Sequence, residues 1–78
     1  MDNNEKAKID AERIALKWFE KASNIKDGRG EKIDSKDFWW ICGAARNEFV
    51  ASDRTIQDRS CGDEIILATI SDLIFGTH

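Results

Sequence analysis

Proline is absent from this 78-residue chain, histidine occurs once and cysteine twice, and each scarcity removes a class of structure or chemistry. With no proline, no internal repeat and no low-complexity segment, the chain suits a compact bundle of long helices. The lone histidine, His78, ends a polar tail expected to fray, so an interior site would lack the usual general base. Cys42 and Cys61 stand 19 positions apart with no internal histidine, and such a pair cannot supply the paired ligand clusters of a zinc site. Cys42 falls on a predicted core face and Cys61 in a predicted turn beside acidic residues, and neither setting activates a thiol for attack. Both are read as small, reduced, buried apolar residues. Gly28-Arg29-Gly30 has neither a preceding strand nor a following Lys-Ser/Thr, which excludes a phosphate-binding glycine loop. The expectation is a protein without catalytic residues, cofactor or metal.

Long hydrophobic runs are also missing. None approaches the roughly 18 to 20 residues of a membrane span, and the start MDNNEKAKID is polar and charged, unlike an export signal. A cytoplasmic location away from membranes is expected. Twelve Lys and Arg oppose 15 Asp and Glu, a formal net charge of -3 that argues against a phosphate-tracking nucleic-acid binder. Residues 1–34 balance at eight charges of each sign, whereas 35–78 hold four basic residues against seven acids, so the acidity lies in the C-terminal part.

Hydrophobic residues make up 41% of the chain, but eight of them are alanine, and Ile, Leu, Val and Phe together number 18. That supplies a thin core for a single domain spanning 1–78, because a chain this short removes only about 60 to 65% of its unfolded surface from water.

Three helices are predicted, over about 6–26, 34–51 and 61–75, giving an all-α bundle. In the first, Ala7, Ala11, Ile14, Ala15, Trp18, Ala22 and Ile25 recur at three- and four-residue steps and form one apolar face. Asp27-Gly28-Arg29-Gly30 terminates it. The second starts at Asp34, with Asp37 at the third helical position and Ile33 and Phe38 at the spacing of a hydrophobic staple. Its core face is Phe38, Ile41, Cys42, Ala45 and Phe49. The polar stretch 53–59 reads as a loop or a short helix capped by Ser52 or Asp53. Ser60 and Asp63 then resemble a capping box ahead of Ile66, Ile70, Leu73 and Ile74. Residues 65–70 alone would also suit a buried strand, and length decides for helix.

The segment Lys26 to Phe38, KDGRGEKIDSKDF, resembles a degenerate EF-hand, since D-G-x-G is followed by Ile33, an acid at Asp37 and Phe38. The resemblance covers 13 of 78 residues. It implies a calcium-responsive module using Asp27, Glu31, Asp34 and Asp37. The segment departs from the family where Lys26, Gly28 and Gly30 take the first, third and fifth ligand positions and Glu31 replaces the turn glycine. The alternative is a glycine-rich turn between two helices.

Bulky apolar residues also lie off the predicted core faces. On the second helix Trp39 and Val50 share a flank with Gly43 and Arg46, while Trp40 projects nearly opposite the core stripe. On the first, Ile9 and Leu16 lie opposite the Trp18 face, with Phe19 at the edge. An exposed tryptophan beside an arginine, with a glycine allowing close approach, matches the residues enriched at binding hot spots. Trp39 and Trp40 either pack against the flanking helices or face a partner. The expected function is therefore protein–protein contact, as an adaptor, inhibitor or regulatory subunit, through Trp39, Trp40, Gly43, Arg46 and Val50. The partner is another protein or a second copy in a homodimer. A DNA-associated dimeric regulator touching phosphate through Arg46, Arg54 and Arg59 is the alternative from another class.

Overall fold

A computed structural model describes residues 3–52 and 54–76. The expected frayed ends, His78 and the candidate cap Asp53 lie outside the described residues. The fold is all-α: α1 spans Asn3–Gly28, a single 3₁₀ turn Ser35–Asp37 leads into α2, Phe38–Val50, and α3 runs Ile56–Phe75. Each helix packs on the other two, α1 with α3 most extensively. Cross-contacts fix the directions. Lys17 and Trp18 of α1 meet Glu48 while Lys26 meets Asp37. Phe49 of α2 meets Gly62 while Phe38 meets Phe75. Both pairs of helices are antiparallel, and the bundle runs up, down, up.

The core follows the helical periodicity closely. Ala7, Ala11, Ile14, Ala15 and Ala22 of α1 are buried against Ile41, Cys42, Ala45 and Phe49 of α2 and Ile66 and Ile70 of α3, with Trp18, Phe38 and Ile74 packed at the margin. Alanine dominates the α1 face, and side chains that small let the neighbouring helices approach closely. Two assignments are corrected. Ile25 and Leu73 are exposed rather than core. Each lies level with residues that do meet a neighbouring helix, Lys26 with Asp37 and Phe75 with Phe38, so its exposure comes from pointing off the buried face of its own helix.

The turn after α1 is a Schellman closure. Glu31 N donates to Lys26 O at 2.8 Å and Gly30 N to Asp27 O at 3.0 Å. Gly30 sits at φ +73°, a left-handed backbone that glycine adopts without penalty. The next start is the expected one. Asp34 is extended, its side chain accepts from Lys36 N, and Asp37 accepts from the Asp34 amide to complete a capping box. The first turn is 3₁₀, not α, because Asp37 N bonds back to Asp34 O.

The third helix departs most from expectation. It begins at Ile56, absorbs the segment expected to be a loop or separate short helix, and carries 65–70 as helix. The Thr55 hydroxyl caps it by accepting from Asp58 N at 3.1 Å, so Ser60 and Asp63 are interior positions and form no capping box. Cys61 consequently lies half-buried within a helix instead of in a turn. Arg54 fixes this geometry by folding inward to pair with Asp10 of α1, its guanidinium 4.4 Å from the Phe49 ring centre. With the connector pinned, the exposed Ile56 and the polar residues 57–60 extend the helix without needing a buried apolar face of their own.

Candidate interaction surface

Trp39 and Trp40 are neighbours in sequence with different surroundings. Trp40, 42% exposed, is tied down: its indole Nε1 donates to Asp37 Oδ1 at 2.9 Å. Asp37 is buried, and its other oxygen accepts from the Asp34 amide at 3.0 Å and pairs with Lys26 Nζ at 3.3 Å. The Trp40 hydrogen bond, then the Asp34 amide and Lys26, hold the Asp37 carboxyl below the usual carboxylate range despite burial. Asp37 in turn raises the Lys26 ammonium.

Trp39 is 70% exposed. Its ring meets the edge of Phe38, centroids 4.8 Å apart, and Phe38 continues to Phe75 at 5.7 Å. These rings form an aromatic ridge from the start of α2 to the end of α3. Beside it an open groove of about 290 Å³ runs between the two helices. Trp39, Cys42, Gly43 and Arg46 line it from α2, and Asp63, Ile66 and Leu67 from α3. Gly43 has nothing within 4 Å of where a Cβ would stand, so it leaves a notch one turn beyond the Trp39 ring. At the far end Arg46 Nε donates to both Asp63 oxygens at 3.1 Å. Burial pushes the Cys42 thiol up, away from the thiolate that attack or metal binding requires.

Of the five residues expected at a contact face, the structure brings Trp39, Gly43 and Arg46 together on this groove. Trp40 is held by Asp37, and Val50 is half-buried against the core. Sequence reasoning missed the α3 wall, because pairing Asp63 with Arg46 and turning Ile66 and Leu67 to the groove depend on the register of α3 on α2. The apolar spacing within a single helix carries no such information.

The remaining candidates occupy other places. Ile9 and Leu16 are exposed on the outer side of α1 among Glu12, Arg13, Lys17 and Glu20, a shallow charged surface. Among the arginines offered to phosphate, Arg54 is turned inward and Arg46 is engaged by Asp63, while Arg59 is exposed. In the EF-hand-like segment the Lys26 ammonium occupies the neighbourhood of Glu31 and Asp37. Among the described residues no three His, Cys, Asp or Glu side chains gather as a metal would need. No described helix is long and apolar enough to cross a membrane.

No family model matches the chain, and no curated protein or solved structure is significantly similar to it.

Proposed function

We propose that this chain is a small cytoplasmic binding protein, an adaptor, inhibitor or regulatory subunit, that acts by docking a protein partner on the α2–α3 groove and its aromatic ridge. One observation carries the reading: a tryptophan 70% exposed stands at the mouth of an open apolar groove. Large, rigid aromatic side chains at the rim of a concave apolar surface are the usual anchors of protein interfaces. Leu67, 39% exposed, adds apolar surface on the opposite wall. The Arg46–Asp63 pair ends the groove with a directional polar contact. The engagement of Arg46 and Arg54 within the fold further favours protein over phosphate as the partner's surface.

Site-specific photo-crosslinking tests the reading. A benzophenone side chain at Trp39 or Leu67 should give discrete adducts in cells, and the same group at Arg29, in the exposed turn after α1, should not. Adducts of equal yield from all three positions, or none from any, would overturn it.

A further inference from the structure

We infer that the occupant of the groove is a second copy of this chain, related by a two-fold axis that sets α2 antiparallel to its counterpart at the level of Ile41. This inference rests on the docking role proposed for the groove and adds the identity of the partner. Three observations converge on it.

The first is shape. Trp39 presents a ring, and Gly43, one helical turn further along the same face, presents a notch with open space around it. A two-fold axis midway between them places each ring in the other copy's notch, so one helix carries both halves of an isologous contact. A knob and its hole on one surface are complementary to an identical surface.

The second is charge. At a two-fold contact each charge near the axis faces its own kind, so a surface that pairs with itself carries few of them. Residues 38–45 of α2 contain no charged side chain, and residues 65–75 of α3 contain only Asp72. The same operation moves Lys36 of one copy toward the Arg46–Asp63 pair of the other. There the Asp63 carboxylate, already beside Arg46, offsets the like charges.

The third is area. The chain exposes 5326 Å², against roughly 4,800 Å² for a compact monomer of its 8.9 kDa mass. Its radius of gyration, 12.8 Å, likewise exceeds the roughly 11.5 Å of a compact chain of this length. An excess of roughly 500 Å² per copy, about 1,000 Å² for a pair, is comparable to the lower limit of the area that specific interfaces bury. The Trp39–Phe38–Phe75 ridge supplies apolar area contiguous with the groove.

Sedimentation equilibrium on the full chain decides the matter. The wild type should show the doubled mass, and Trp39→Ala, which removes the knob, and Gly43→Leu, which fills the notch, should each weaken the dimer about tenfold or more. Circular dichroism of each variant checks that the monomer still folds, and Gly43→Ala replaces Gly43→Leu if the larger side chain prevents folding. Mixing the two variants gives the symmetry-specific result. In the heterodimer, Trp39 of the notch-filled copy enters the open Gly43 notch of the knob-less copy, restoring one intact contact. At the other contact the shortened side chain of one copy meets the filled notch of the other, which relieves the clash. The heterodimer should therefore be tighter than either variant alone. A wild type that remains monomeric at all concentrations overturns the inference. If crosslinks from Trp39 then carry the mass of a different protein, the docking role survives. A dimer indifferent to both variants, or a mixture no tighter than its components, also overturns it.

Discussion

The Phe49 ring lies where a Cβ on Gly62 would stand. This contact sets how closely α3 approaches α2, and it explains why a glycine is buried in the middle of a helix. Replacing Gly62 by Ala must displace Phe49, one of the largest fully buried side chains, and the overpacking should cost about 1–3 kcal/mol. Thermal unfolding followed by circular dichroism should report a loss of roughly 4–8 °C per kcal/mol. Gly43→Ala provides the opposite sign. Its surroundings are open, so the substitution should raise stability by up to about 1 kcal/mol when measured at concentrations low enough to keep the chain monomeric.

Arg54 joins three elements at once, as it is stacked on Phe49, paired with Asp10 and placed just before the cap of α3. Truncation to Ala should leave the Asp10 carboxylate, mostly shielded from water, without its principal partner. The expected cost is about 2–3 kcal/mol, below that of a fully buried pair because both side chains keep some solvent contact. Adding Asp10→Asn should recover much of that loss, and chemical denaturation of the two single variants and the double variant gives the coupling directly.

Local signals were legible in the sequence and long-range ones were not. Asp34 and Asp37 announced the start of the second helical segment because a capping box involves residues three apart, and the Ala7–Ala22 stripe announced the buried face of α1 through periodicity alone. Ser60 and Asp63 have the same local form and misled, since Thr55 caps the helix one turn earlier. That earlier start depends on Arg54 finding Asp10, 44 positions away. The groove divides the same way: the three residues on α2 were readable from one helical projection, and the α3 wall was not.

Acid should weaken the fold through three carboxylates. Asp37, held chiefly by Trp40, Asp10, held chiefly by Arg54, and Glu48, held chiefly by Lys17, all have their pKa values lowered in the native state. The unfolded chain then binds more protons than the native one across the carboxylate range, so stability falls as pH falls. The contribution should be fully present above the unfolded carboxylate values near about 4 and lost as pH drops through the lower native values. Lys26 acts at the other end: its raised pKa gives a contribution present below the ordinary lysine range and lost above it. Urea titrations from neutral pH downward should show an acid decline, and Asp37→Asn should make that decline shallower.

Calcium offers a sharp check on the turn between α1 and α2. To serve as a ligand there, Asp37 would have to release the Trp40 indole, the Lys26 ammonium and the Asp34 amide, the last being half of the capping box of the 3₁₀ turn that leads into α2. Trp40 donates directly to that carboxylate, so any ion that captured Asp37 would change the indole's surroundings and its emission. Titration with calcium should leave the tryptophan spectrum and the helical signal unchanged up to millimolar ion. Lys26→Ala should not create a site, because removing one cation leaves Gly28 and Gly30 where ligand oxygens would be required. It should lower stability instead, through loss of the ammonium that joins Glu31 and Asp37 across the turn. A calcium-dependent shift in Trp emission that Asp37→Asn abolishes would show that the turn opens for the ion, and the capping network would then be a gate for metal.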